Sequence, residues 1–150
     1  MAVYMLPPLT LEQEKALAYA PADDLLKLPF LAPDAIPNSG VAYMLSKRAN
    51  ILRAQAAAMR WAERGALVNS ISPGIIAMPL AQHELNSEMG DGYRRLIAAS
   101  SAKRMAPPDE IAIAASYLVG ADAAFVNGSD LLIDGGVIAA KRAGRLAPAN

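Results

Sequence analysis

Tyr43 and Lys47 are the two residues whose types and spacing could do chemistry together. The surrounding sequence predicts a helix, on which residues four apart share one face, so an ammonium can lie beneath a phenol. A free Tyr has a pKa of roughly 10, and a neighbouring cation favours the phenolate and brings the group towards the range of a general acid/base. The alternative is a solvated Lys and a half-buried Tyr on an ordinary helix, and the spacing alone does not decide between them.

The helix that must position this pair is predicted to run from about Val41 to Arg64. Asn38-Ser39-Gly40 supplies cap residues before it, and Gly65 is the candidate C-cap. Its apolar residues cover more than one face, which is typical of a helix buried on several sides or used in an interface. Upstream, Thr10-Leu11-Glu12-Gln13 is predicted to form a capping box that opens a short helix ending before Pro21. We expect a helical turn through Leu28 after it, and then an irregular loop broken by prolines.

Two short apolar runs with turn residues after them predict strands. The first, 66–71, ends in Ser72-Pro73-Gly74, which we expect to stop the ladder, and the second, 130–134, is stopped by Gly135-Gly136. Between them we expect two short helices within 79–100 and a third that opens at Pro107-Pro108-Asp109-Glu110 and closes at Gly120. Strand, helical excursion and strand form a βαβ crossover, so the fold class is α/β with a parallel sheet and a right-handed connection. The tail after about Ala140 is predicted to fray.

Composition excludes several classes of function. The 150 residues suggest one domain, and the net charge of zero from 14 basic and 14 acidic residues predicts no nucleic-acid partner. The absence of Cys excludes disulfides and thiolate metal sites. His83 is the single His, so a metal site built from several histidines is excluded as well, and we interpret His83 as a surface residue. Because we find neither a signal-peptide pattern nor an apolar run near ~20 residues, we expect a cytoplasmic protein that does not span a membrane.

Over residues 41–138 the chain resembles the second half of a short-chain dehydrogenase/reductase. Four features agree in order along the chain: the helix with Tyr43-x-x-x-Lys47, the strand Val68-Asn69-Ser70-Ile71 leading into Ser72-Pro73-Gly74-Ile75-Ile76, the helix start Pro107-Pro108-Asp109-Glu110-Ile111-Ala112, and the closing run Gly128-Ser129-Asp130-Leu131-Leu132-Ile133-Asp134-Gly135-Gly136.

This resemblance implies a Rossmann-like parallel sheet with flanking helices and an oxidoreductase that interconverts a small carbonyl compound and an alcohol with NAD or NADP. Tyr43 would transfer the proton, and Lys47 would lower the Tyr43 pKa and bind the nicotinamide ribose. Pro73, Gly74 and Ile76 would line the nicotinamide pocket at the carboxyl end of their strand. A strand-ending turn at Pro73-Gly74 and a core contact at Ile76 are the simpler interpretations, and both are compatible with the pocket role.

The resemblance also implies boundaries within a single domain, 1–150. Residues 1–38 correspond to a variable insertion, 39–140 run from the catalytic helix to the final strand, and 141–150 form the tail.

Three departures from the family pattern shape the functional prediction. The sequence contains no Gly-rich phosphate loop, no Ser about a dozen residues before Tyr43, and Met78 where many members carry a Thr. Ser39 lies too close to Tyr43 to serve as that Ser. We therefore expect a truncated fold without the N-terminal dinucleotide-binding half, poor cofactor binding, and an inactive or impaired isolated chain.

Two alternatives to the enzyme remain at this point. The chain could be a non-enzymatic remnant that acts only as an association module, or a ligand-binding module in which residues 10–37 cover a crevice at Pro73-Gly74. A first strand without its inner neighbour would present an unpaired edge, so we expect a homo-oligomer.

Overall fold

Six helices and two short strands make up the regular structure of residues 1–146, the part of the chain that the computed structural model describes. Their order is α1 (Leu11–Tyr19), α2 (Ser39–Ala62), β1 (Ser70–Pro73), α3 (Pro79–Leu85), α4 (Gly90–Ala99), α5 (Pro108–Val119), β2 (Asp130–Ile133) and α6 (Val137–Arg142). Short 3₁₀ turns occur at Ala2–Met5, Ala22–Lys27, Pro29–Leu31 and Ala121–Ala123. The predicted α/β class is confirmed.

The chain divides into two compact units. The first unit comprises Ala2–Ser70 and Ala124–Asp130, and the second comprises Met1, Ile71–Ala123 and the described residues from Leu131 onwards. The sequence predicts one domain with internal boundaries at residues 38 and 140. The division into units does not test those boundaries, which stay a prediction.

In the first unit, side-chain caps determine where the two helices begin. The Thr10 hydroxyl accepts from the Gln13 N–H at 3.2 Å, and the Gln13 side chain accepts from the Thr10 N–H at 2.9 Å, so the predicted capping box is confirmed. The Asn38 side chain accepts from the Val41 N–H at 3.0 Å and opens α2 two residues before the predicted start. The helix α2 ends at Ala62 with Glu63 as its C-cap, two residues before the predicted end, so the prediction of Gly65 as the C-cap is wrong. Gly65 follows the cap in a left-handed conformation (φ 71°), which favours Gly.

The core of the first unit lies between α1 and α2. Leu17, Ala49 and Leu52 are buried in it, and side chains from the proline-rich segment pack around them: Leu25, Leu28, Phe30 and Leu31. Arg53 donates to two carbonyls at the end of α1, and Arg48 pairs with Glu14. Residues 9–31 are therefore held against α2 by apolar burial and by two arginines.

The strands β1 and β2 pair in parallel, as predicted, but the predicted end of β1 is wrong. β1 begins at Ser70 rather than Ala66 and continues through Pro73. The Ser70 N–H donates to Ser129 at 2.9 Å and the Gly74 N–H donates to Ile133 at 2.8 Å. Because strand residues alternate in direction, the Pro73 nitrogen faces away from β2, where the absence of an N–H does not interrupt the ladder.

The helices of the second unit follow the predicted pattern except at its end. Two short helices, α3 and α4, fill residues 79–99, and α5 begins after Pro107 and ends at Gly120. The helix α6, from Val137 to Arg142, was not predicted, and the fraying expected after about Ala140 stays a prediction. Residues 147–150 of the predicted tail lie outside the described range.

Candidate functional site

Tyr43 and Lys47 lie one turn apart on α2, and their side chains are in contact. The Lys47 ammonium is 5.4 Å from the centroid of the Tyr43 ring, within the range of a cation–π interaction. Tyr43 is 55% exposed, whereas Leu45, Ala49 and Leu52 of the same helix are buried. The buried face of α2 thus orients the helix, and the Tyr43–Lys47 pair occupies a face that small molecules can reach.

The reactive atoms of this pair are not engaged by other side chains of residues 1–146. No hydrogen bond joins the Tyr43 hydroxyl to another described residue, and Lys47 forms no ion pair among them. The nearby Ser46 hydroxyl donates to the Tyr43 carbonyl at 2.8 Å, so its hydrogen bond goes to the backbone rather than to the phenol. A phenol and an ammonium in this state can exchange a proton with a bound molecule and donate to its hydroxyl groups.

Pro73, Gly74 and Ile76 belong to the second unit and follow one another around the end of β1. Pro73 is exposed, and its carbonyl accepts from the α-ammonium of Met1 at 2.8 Å. A Cβ on Gly74 would lie 2.6 Å from the Asp134 Cα, so the chain passes β2 too closely for any side chain. Ile76 is half-buried and forms a parallel bridge with Ala106. Tyr43 and Lys47 belong to the first unit, so the predicted site residues form two groups. The members of each group lie close together within their own unit.

The segment after β2 tests whether the second unit offers a phosphate site. Gly135 and Gly136 precede α6 with φ of 63° and 88°, a conformation that can turn backbone N–H groups towards an anion. The Asp134 carboxylate already accepts from the Gly136 N–H at 2.8 Å and from the Ile138 N–H at 2.7 Å. Those donors are therefore satisfied within the protein, and this glycine pair does not fit a pyrophosphate.

Asp134 is a residue whose role sequence reasoning missed. Its position shortly before residues 139–142, the helix-favouring run Ala-Ala-Lys-Arg, was the available signal, since Asp is a preferred residue at a helix start. A second carboxylate, Asp130, accepts from the Tyr4 hydroxyl and the Ser70 hydroxyl, each at 2.6 Å, and connects the N-terminal 3₁₀ turn to the strand starts in the first unit.

Other kinds of site are not present in the described residues. No group of three His, Asp or Glu side chains there could hold a metal ion, and His83 is exposed on α3, in agreement with a surface role. Within residues 1–146 every buried side-chain nitrogen or oxygen has a hydrogen-bond partner. No helix in that range is long and apolar enough to cross a bilayer.

Comparison with known proteins connects this geometry to a family. A family model described as enoyl-(acyl carrier protein) reductase matches residues 25–138. A short-chain dehydrogenase/reductase of Alternaria brassicicola is 37% identical over 123 residues, which cover 82% of this chain and 44% of that protein. D-threitol dehydrogenase of Mycolicibacterium smegmatis is 41% identical over 96 residues, which cover 64% of this chain and 36% of that protein.

The structural comparison agrees with these sequence matches. The 3-alpha-hydroxysteroid dehydrogenase from Pseudomonas sp. B-0831, solved in complex with NADH, matches with a TM-score of 0.72 and 32% identity, over 89% of this chain and 50% of that one. This likeness confirms the predicted Rossmann-like α/β fold. The chain spans half or less of the length of each of these three proteins.

Proposed function

Because this chain belongs to the short-chain dehydrogenase/reductase family, we propose that it carries the proton-transfer residues of an oxidoreductase that interconverts carbonyl compounds and alcohols with NAD or NADP. The observation that carries the proposal is the Tyr43–Lys47 pair, which is in contact, exposed and unengaged by other described side chains. The relatives' names support a small alcohol or carbonyl compound as substrate.

In the proposed mechanism the Tyr43 hydroxyl transfers its proton to the carbonyl oxygen of the substrate, or takes the proton from the alcohol in the reverse direction. Lys47 places a positive charge beside the ring that loses the proton and directs N–H donors towards the ribose hydroxyls of the cofactor. The nicotinamide, when bound, supplies or accepts the hydride. Pro73, Gly74 and Ile76 are proposed to contact the nicotinamide.

The residues present fit one end of this cofactor and not the other. An ammonium and a phenol suit the neutral hydroxyls of a ribose, whereas the sequence has no Gly-rich loop and Asp134 occupies the N–H donors beside Gly136. We therefore propose that the isolated chain binds the intact dinucleotide poorly and is inactive or impaired in turnover. A cytoplasmic location remains part of the proposal, and the absence of Cys is compatible with a reducing compartment.

A non-enzymatic association module is the second candidate function, and the exposure of α5 favours it. None of its residues is buried, and Ile113 and Val119 are 71% and 87% exposed. Apolar side chains in such positions are typical of a surface that pairs with another protein. The sequence leads us to expect a homo-oligomer because of an unpaired strand edge, and we propose that the exposed apolar side chains of α5 contribute to it.

Binding of cofactor fragments tests the enzyme proposal. The chain is titrated with NADH, with reduced nicotinamide mononucleotide and with ADP, and nicotinamide fluorescence reports the first two directly. We expect NADH and the mononucleotide to bind with similar affinity and ADP not to bind, because the proposed contacts involve only the nicotinamide and its ribose. Lys47→Met should weaken both by about tenfold or more, since a hydrogen bond from a charged group contributes about 1.5–3 kcal/mol.

Matched variants on α1 serve as controls. Lys15→Met and Tyr19→Phe change exposed residues of the same types in the same unit and should leave binding unchanged. Tyr43→Phe should also leave binding nearly unchanged, but it should lower any measurable turnover by about 10²–10⁴. Equal losses from Lys15→Met and Lys47→Met, or preferential binding of ADP, would contradict the proposal.

A further inference from the structure

The second unit contains a cavity that none of the proposed roles uses. Its volume is about 160 Å³, and its lining includes the branched aliphatic residues Ile75, Ile97, Ile133 and Val137. Ile75 and Val137 are 8% and 2% exposed, whereas Ile97 and Ile133 are partly buried. Gly74, the one lining residue with a proposed cofactor contact, contributes only backbone to the wall.

The polar groups in this wall are already satisfied by the protein. The Ser100 hydroxyl donates to the Ile97 carbonyl at 2.7 Å and accepts from the Lys103 N–H at 2.9 Å. Both oxygens of Asp134 accept N–H groups at the start of α6. A ligand in this cavity would therefore find few polar groups in need of a partner, which favours an apolar ligand over a polar one.

The cavity is open to solvent on one side, where Ala102, Arg104, Glu110 and Gly135 are exposed. Arg104 and Glu110, the two charged residues of that side, are bonded to each other. Two hydrogen bonds of 3.1 and 2.7 Å join the guanidinium to the carboxylate, and the pairing raises the pKa of Arg104. The positive charge is therefore compensated within the protein. An anionic ligand would have to displace Glu110 from Arg104, whereas a neutral ligand would not.

We propose that this cavity is a binding site for a neutral apolar molecule with a single six-membered ring. An engineered protein cavity of about 150 Å³, lined by Leu, Ile and Phe, binds benzene, and the present cavity has a similar volume. It differs in being open at Arg104 and Glu110, so benzene would pack against the branched aliphatic side of the wall. The proposal does not depend on nicotinamide binding or on the Tyr43–Lys47 pair. Occupation of the site would stabilise the second unit, since a ligand that binds only the folded state shifts the folding equilibrium.

Methyl NMR of the intact chain with benzene as the probe tests this site. In a benzene titration the methyl signals of Ile75, Ile97 and Ile133 should shift saturably, with a Kd on the order of 10⁻⁴–10⁻³ M. The methyls of Ile51, buried in the first unit, and of Ile113, exposed on α5, should not shift. Benzoate at the same concentrations should neither shift the cavity methyls nor compete with benzene.

A cavity-filling variant provides the second arm. Ile97→Phe places a larger side chain into the cavity wall and should weaken benzene binding at least tenfold, whereas the matched Ile113→Phe should bind as the wild type does. No saturable shift in the wild type, equal shifts at Ile51, binding of benzoate as strong as that of benzene, or unchanged affinity in a folded Ile97→Phe protein would each overturn the proposal. If Ile97→Phe does not fold, the proposal is tested by the wild-type titration alone, that is, by whether the methyl signals of Ile75, Ile97 and Ile133 shift while those of Ile51 and Ile113 do not.

Discussion

Replacing Gly74 by Ala tests the close packing of the chain beside Asp134, because the added methyl group would overlap with the Asp134 backbone. An Ala Cβ would lie 2.6 Å from the Asp134 Cα and 3.1 Å from the Asp134 carbonyl carbon. Carbon atoms in favourable contact are about 3.5–4.0 Å apart, so the two chain segments would have to separate by about 1 Å. Both are backbone and neither can rotate away, so we expect Gly74→Ala to cost about 2–3 kcal/mol of folding free energy, towards the upper end of the range for overpacking.

Two other glycines separate this steric cost from the usual effects of replacing glycine. A Cβ added at Gly92 in α4 would meet no other atom within 4 Å, so Gly92→Ala should stabilise by about 0.5–1 kcal/mol through the lower entropy of the unfolded chain. Gly65 also has open space but lies at φ 71°, so Gly65→Ala should cost about 1–2 kcal/mol from backbone strain alone. Gly74 has no positive φ, which leaves the contact with Asp134 as the cause of its cost.

Urea unfolding followed by circular dichroism measures all three free energies, and thermal melts should move by about 2–4 °C per kcal/mol for a chain of this size. The expected order of stability is Gly92→Ala, wild type, Gly65→Ala and Gly74→Ala. A Gly74→Ala protein as stable as the wild type would refute the close approach of Gly74 to Asp134. Equal losses at Gly74 and Gly92 would show that the steric argument has no predictive value here.

Two further predictions concern Asp134 and the exposed face of α5. Asp134→Ala removes the acceptor for two N–H groups at the start of α6 and should cost about 1–2 kcal/mol, with faster hydrogen exchange confined to that helix turn; exchange unchanged there would contradict the capping role. Ile113→Glu combined with Val119→Glu should shift the chain towards monomer in size-exclusion chromatography with light scattering, whereas Leu26→Glu, at an equally exposed position of the first unit, should not. A wild-type chain that is monomeric at micromolar concentration would refute the proposed homo-oligomer.

Local features of the fold were predictable because they depend on residues close together in the chain. The Thr10–Gln13 capping box and the Asn38 cap each act over three or four residues, so their sequence patterns predict the helix boundaries to within about two residues. The contact between Tyr43 and Lys47 is of the same kind, because the period of a helix brings such residues together wherever the helix lies.

Features that depend on distant segments were not predictable from local patterns. Pro73 was expected to end β1, but whether a Pro interrupts a ladder depends on which side of the strand has a partner, and β2 begins more than 50 residues later. The helix α6 was missed because its start is stabilised by Asp134, whose carboxylate reaches over two glycines that otherwise signal the end of structure.

The sequence by itself determined the family, the helix that carries Tyr43 and Lys47, and the absence of a Gly-rich phosphate loop, since these are properties of residue type and spacing. Only the tertiary structure decided that the Tyr43–Lys47 pair is exposed and forms no hydrogen bond or ion pair with the other described side chains. It also decided that Gly74 is required by the passage of the chain beside Asp134, and that a cavity with a partly aliphatic wall lies in the second unit. The physical reason is that burial, steric contact and empty volume depend on which distant segments pack together, and no local pattern specifies that.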